Sequence, residues 1–267
     1  MAEMIKPGPC GDDRSIREAV CIHTKKIFDA CKAQDCIEDL RVYFDEKTQH
    51  MIDEAASVKS GCAELLHAYI DVEPVRFNRG FFAVDVRYYY RITAEACVCG
   101  GRPNSVTGLA VFSKRCILFG GEGGAKVFSS AGLENTPSAP VSDCGAVPEA
   151  VVEVMDPLVL NMKLVDVCKY RPLECGCADI PDAVADCFDA PLTTGGDVHR
   201  LYVTLGQFST LRLERDTQLL IPVYDYCVPG KDCRCDDGGC DKDPCEMFQK
   251  VQFPVNDFFP NSGECSC

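Results

Sequence analysis

The chain has 267 residues, of which 46% are hydrophobic and 20 are cysteines, and its formal net charge is −14. This hydrophobic content is enough for a core, so the cysteines are additional to a core. In small secreted scaffolds, by contrast, disulfides compensate for the lack of one. The negative charge repels phosphate backbones and argues against nucleic-acid binding. No stretch approaches the roughly 18 uninterrupted apolar residues of a membrane-spanning helix.

Residues 1–60 are predicted to form an N-terminal segment of mixed character. Ser15–Glu18 fits a capping box and predicts the start of a helix, while 20–22 fits a short strand equally well. Cys31 and Cys36 have the spacing expected of a loop between two short elements. The first residues lack the basic start and apolar core of a signal peptide. We therefore expect the protein to be made in the cytoplasm without an export signal.

The strongest secondary-structure signal lies at residues 82–93, where apolar and other residues alternate strictly. This period of two predicts a half-buried strand. Residues 64–77 are predicted to be its partner strand, joined through a turn at 78–80. The alternation places one apolar set on the core side: Phe82, Val84, Val86, Tyr88, Tyr90 and Ile92.

A second hairpin is predicted to follow. Its first strand is 106–119, its glycine-rich tip is 120–124 and its return strand is 125–130. The tip lacks the Gly-Lys-Ser/Thr sequence of a P-loop, so a flexible hairpin tip explains its glycines better.

Further strands are predicted in the C-terminal half. They cover 151–167 and 200–213, and a turn at Glu214–Asp216 is expected to lead into another strand at 217–226. Pro222 indicates an edge strand or a bulge there, because proline cannot donate to a sheet ladder.

These patterns predict a mainly β protein of antiparallel, sandwich-like sheets with a short mixed or helical segment at the N-terminus. Residues 131–150 are rich in small residues and proline, which is typical of a linker or long loop. The predicted organisation is the N-terminal mixed segment (1–60), a first β region (61–130), the linker (131–150), and a second β region with a cysteine-rich loop and tail (151–267).

Four Cys-x-Cys pairs dominate the cysteine pattern: Cys97/Cys99, Cys175/Cys177, Cys233/Cys235 and Cys265/Cys267. In a strand such residues share one face about 6.6 Å apart, beyond the favoured Cα separation of a disulfide near 5.5–6 Å. Each pair is therefore better suited to joining a neighbouring strand, loop or subunit than to closing on itself. We expect disulfides, within or between subunits, at Cys10, Cys21, Cys31, Cys36, Cys97, Cys99, Cys175, Cys177, Cys265 and Cys267.

A second cysteine cluster offers a metal alternative. Four thiolates within about twenty residues could hold a tetrahedral zinc ion, but the usual Cys-x2-Cys spacing occurs nowhere in the chain. The spacing is also typical of disulfide-bonded loops, which we favour. No cofactor is therefore expected, and zinc or iron remains the alternative, at Cys227, Cys233, Cys235, Cys240 and Cys245.

The common signatures of enzymes are absent. The chain has no Gly-x-Ser-x-Gly elbow and no His-Glu-x-x-His motif, so no catalytic residue is assigned and no enzymatic activity is expected. Tyr88, Tyr89 and Tyr90 could bind a sugar face, but such a strand more often packs into a core. A secreted β-sandwich adhesin is a further alternative, although the missing export signal disfavours it.

The cysteine distribution resembles that of cysteine-rich spore-coat and exosporium proteins of spore-forming Firmicutes. The features that carry the resemblance are Cys21, Cys31 and Cys36, the four Cys-x-Cys pairs and the terminal Cys-Ser-Cys. The resemblance implies a product of the mother-cell cytoplasm that self-assembles into layers or filaments. Disulfides would cross-link it once the surroundings turn oxidising. Its partners would be copies of itself and other coat proteins, at the spore or cell surface.

Overall fold

The computed structural model describes residues 21–98, 102–123, 147–167, 180–195, 198–220, 230–232, 248–249 and 251–258. Most of these residues belong to strands, which confirms the predicted mainly β fold. The strands are β1 (Cys21–Asp45), β2 (Ser57–Pro74), β3 (Phe81–Cys97), β4 (Asn104–Phe119), β5 (Glu149–Val154), β6 (Leu158–Asp166), β7 (Leu192–Thr193), β8 (His199–Leu220) and β9 (Lys231–Asp232). The helices are α1 (Glu46–Asp53), α2 (Asp182–Ala185) and α3 (Val255–Phe258).

The strands described join in one sheet of order β2-β3-β4-β1-β8-β5. In addition, β6 pairs with β8, and the short β7 and β9 pair with β1. The pairing is antiparallel except between β1 and β9. The long β1 follows β8 over most of its length but meets β4 only at Val42 and Tyr43. This short junction connects a β2-β3-β4 layer to a layer formed by β1, β8, β5 and β6.

The two layers face each other across one core. A single cluster of buried side chains includes Tyr90 from β3, Leu118 from β4 and Leu205 from β8. The Tyr90 hydroxyl donates a hydrogen bond to the side-chain carbonyl of Gln207 on β8. Because β3 and β8 are not neighbours in the sheet, this bond crosses the core. The result is the sandwich-like arrangement that the sequence predicts.

The alternation in β3 is confirmed, since the six apolar residues predicted to face the core are all buried. The predicted hairpin with β2 is present, as is the β4 strand. However, Tyr89 on the opposite face is buried as well, together with Leu109 and Val184. The segment around α2 covers this part of the outer face, which strand periodicity alone could not predict.

The predicted loop around Cys31 and Cys36 is wrong. Both residues lie within β1, opposite Leu211 and Gly206 of β8. One side of this stretch carries the buried Cys31, Ala33 and Ile37. Asp35 on the same side pairs with Lys114 of β4, so the pairing with β8 keeps this side in the core. Continuous ladder hydrogen bonds therefore prevail over the local polar composition.

The predicted turn at Glu214–Asp216 is also wrong, because β8 continues through it to Leu220. The charged side chains are accommodated by partners instead of by a turn. Glu214 lies 3.2 Å from the Lys25 ammonium group, and Arg215 donates to the Gly120 carbonyl at 2.7 Å. The predicted 151–167 strand is divided into β5 and β6, and the predicted return strand 125–130 lies outside the described residues.

Candidate cross-linking surface

Two cysteines of β1, Cys31 and Cys36, are disulfide-bonded. They are five residues apart in a regular stretch of strand, which corresponds to about 16 Å. A disulfide requires Cα atoms within about 7 Å, so the two are not bonded to each other. Strand β9 runs parallel to β1 at Cys31 and Lys32, and it ends one residue before Cys233 in the sequence.

Four other described cysteines form no disulfide: Cys62, Cys97, Cys116 and Cys187. Cys116 is buried and pairs in register with Val84, a core residue of β3. Cys62 and Cys187 are exposed, and Cys97 is half-buried. Cys116 is therefore the one of these four thiols that is shielded from solvent.

The strand register places Cys62 and Cys97 on the outer face of the β2-β3-β4 layer. Ala63 packs against the core cluster and Ala96 belongs to it. Since neighbouring residues of a strand point to opposite faces, Cys62 and Cys97 point away from the core.

Cys187 follows α2 and lies over the same outer face. Val184 of α2 packs against Tyr89 and Leu109, which fixes this segment on the sheet. Arg91 of β3 donates a hydrogen bond of 3.4 Å to the Cys187 carbonyl and forms an ion pair of 2.9 Å with Glu64 of β2. Through Arg91, the backbone of Cys187 is linked to Glu64, which lies two residues after Cys62 on β2. We call the outer surface that carries Cys62, Cys97 and Cys187 the thiol face.

The sequence-predicted disulfide set overlaps with this surface only at Cys97. Cys62 and Cys187 are not members of a Cys-x-Cys pair and were not predicted. Cys21 forms a backbone pair with Leu220, and nothing is described of its side chain. The remaining members of the set lie outside the described residues: Cys10, Cys99, Cys175, Cys177, Cys265 and Cys267.

The five cysteines of the metal alternative also lie outside the described residues. Within the part of the chain that is described, no three or more histidine, cysteine, aspartate or glutamate side chains come together as metal ligands. None of the helices described there is long and apolar enough to cross a membrane.

The chain is similar over a short stretch to Exosporium protein A of Clostridium sporogenes (strain ATCC 15579), with 34% identity over 55 residues. This stretch is 21% of the chain and 16% of that protein, so the match spans about one sixth of the relative's length. No family model and no solved structure matches the chain. The similarity supports a loose relation to spore-surface proteins.

Proposed function

We propose that this protein is a structural subunit of a spore surface layer, which assembles with copies of itself and is reinforced by disulfides between neighbouring subunits. The observation that carries the proposal is the thiol face, where Cys62 and Cys187 are exposed and form no disulfide. A thiol can join two subunits only if it is accessible and not already bonded. Both conditions hold for these two residues.

The cross-linking step is an oxidation. A thiolate of one subunit attacks a low-molecular-weight disulfide such as oxidised glutathione, and one thiolate of that reagent leaves. The thiol of a second subunit, as its thiolate, then attacks this mixed disulfide and expels the other half of the reagent. Two protein thiols become one disulfide, and the reagent gains two electrons and two protons.

The similarity to Exosporium protein A supports the spore surface as the location. The number of cysteines supports the role, since each ordinary disulfide adds roughly 2–4 kcal/mol and a usual domain needs only about 5–15 kcal/mol. A chain with 20 cysteines and a large apolar core has far more cross-linking capacity than folding requires.

The test combines electron microscopy with non-reducing electrophoresis of the purified protein after incubation with oxidised glutathione. We expect ordered assemblies and a ladder of covalent multimers that collapses with reductant. The double variant Cys62→Ser/Cys187→Ser should lose much of the ladder. The matched control Cys116→Ser removes a buried thiol and should keep it.

A monomer that stays monomeric with and without oxidant would refute self-assembly. A ladder that persists unchanged in the double variant would refute the role of these two cysteines and leave assembly standing. Stoichiometric zinc or iron in anaerobically purified protein would favour the thiolate metal alternative.

A further inference from the structure

A groove of about 800 Å³ lies on the outer face of β2, β3 and β4. Such a volume is within the range of small-molecule sites, about 300–1,000 Å³. One side is formed by Ile180, Pro181 and Asp182, at the start of α2. The other side is formed by two rows of residues that are opposite one another in the strand register: Tyr69, Arg87 and Ser113, then Asp71, Asp85 and Arg115.

Tyr69 provides an accessible aromatic surface in this groove. Its residue is 55% exposed, in contrast to Tyr89 on the next strand, which is buried. No aromatic side chain among the described residues contacts the Tyr69 ring. An exposed tyrosine offers both an apolar ring and a hydroxyl, the combination found at recognition surfaces.

Arg87 lies directly opposite Tyr69 and is half-buried. No ion pair or hydrogen bond of its side chain is formed with any residue that the structure describes. A half-buried guanidinium with no carboxylate partner in the described part of the chain is unexpected at a net charge of −14, because removing a charge from water is unfavourable unless it is paired. None of the described residues occupies its five N–H donors, which face the groove from the half-buried Arg87.

Carboxylates line the groove beside these two residues. Asp71 and Asp85 are opposite each other on β2 and β3, where like charges disfavour pairing. Arg115 reduces this repulsion, since it lies 3.5 Å from Asp85 and 3.7 Å from Glu73. Asp182 adds a further carboxylate on the opposite side. The groove therefore presents hydrogen-bond acceptors as well as donors.

We propose that this groove binds a neutral saccharide. The hydroxyl groups of a sugar both donate and accept, which matches the carboxylates and the guanidinium, and the C–H face of a pyranose ring can pack on Tyr69. An anionic ligand would meet three carboxylates in the same groove, and a cationic ligand would meet two guanidinium groups. The mixed charge thus favours a polar, uncharged ligand. Saccharide binding in this groove does not depend on the proposed assembly of subunits.

The experiment uses the full-length protein on an array of neutral and sulfated oligosaccharides, followed by calorimetry with the neutral oligosaccharide that binds best. We expect Tyr69→Ala and Arg87→Gln each to weaken binding by roughly tenfold or more. Phe77→Ala is the matched control, because this fully exposed aromatic lies in the turn after β2.

Binding of wild type to no neutral saccharide, or only to sulfated ones, would overturn the proposal. Binding that both variants retain would also overturn it. Circular dichroism and the thermal midpoint should be unchanged in Tyr69→Ala, which separates a lost contact from a lost fold. Multimers on a non-reducing gel are independent of this result, so the proposed assembly is judged separately.

Discussion

Lys114 of β4 and Asp35 of β1 form an ion pair between the two layers of the sandwich. The Lys114 ammonium nitrogen lies 2.7 and 2.8 Å from the two carboxylate oxygens of Asp35. Their side chains are only 3% and 10% exposed. We predict that Lys114→Met strongly destabilises the fold, because it removes the ammonium group that pairs with the buried Asp35 charge.

The expected magnitude follows from this burial. Removing one partner of a buried pair costs about 3–5 kcal/mol, a large part of the roughly 5–15 kcal/mol that stabilise a typical domain. At about 2–4 °C per kcal/mol, the thermal midpoint should fall by roughly 6–20 °C. The double variant Asp35→Leu/Lys114→Met should recover most of the loss, since the buried charge is then absent.

Thermal and guanidinium unfolding, followed by circular dichroism under identical oxidising conditions, measure these differences. Arg91→Met is the matched control, because the Arg91–Glu64 pair is 31% and 54% exposed and such surface pairs contribute about 0–1 kcal/mol. A loss in Lys114→Met no larger than in Arg91→Met would refute the reasoning. Because the pair joins the layers, one cooperative transition is expected, and two separate transitions would show that the layers unfold independently.

Three further predictions concern pH and accessibility. Burial raises the pKa of Tyr90 well above its ordinary value of 10.0, so the unfolded state ionises first and stability falls above that pH. In guanidinium titrations above pH 10, Tyr90→Phe should reduce the slope of stability against pH by up to about 1.4 kcal/mol per pH unit. Partial burial of Asp45 is outweighed by hydrogen bonds from Thr48 and Lys47, which lower its pKa below 3.8. Asp45→Ala should therefore cost about 1 kcal/mol of helix-capping energy at neutral pH. The difference in stability from wild type should shrink as the pH falls below 3.8. A difference in stability that is the same in acid as at neutral pH would contradict this. Iodoacetamide should modify Cys62 rapidly in the native protein and Cys116 only after unfolding, as peptide mass spectrometry would show; equal rates would contradict the described exposure.

The alternation of apolar and polar residues predicted individual strands, but it did not predict which distant strands pair. The β3 strand alternates without interruption, so its core side could be read directly from the sequence. The 25-residue β1 was missed because its alternation is interrupted twice, with register shifts between Ile27 and Asp29 and between Ile37 and Leu40. Its partner β8 is more than 150 residues away in the sequence at most positions, and no local signal indicates that pairing.

The thiol face could not be predicted for a related reason. Strand β2 has register shifts between Lys59 and Cys62 and between Leu65 and His67, and each one changes which residues point outward. At the first shift, a Cβ on Gly61 would lie 1.8 Å from the Thr93 carbonyl oxygen, so this backbone path requires glycine. An isolated glycine in a strand pattern is the one sequence signal that could have indicated the bulge.

The net charge bears on how subunits with this face would stay together. Two copies that each carry −14 repel one another, although salt at physiological strength screens exposed charges beyond about 8 Å. Non-covalent contacts between such copies have to overcome the electrostatic repulsion that remains at short range. A disulfide is covalent, so this repulsion does not separate two subunits once the bond has formed. The cysteines of this chain divide in a way that supports the proposed assembly. Cys31 is buried and disulfide-bonded, which suits a role within the fold, while Cys62 and Cys187 are exposed and free, which suits a bond that forms only after two subunits meet.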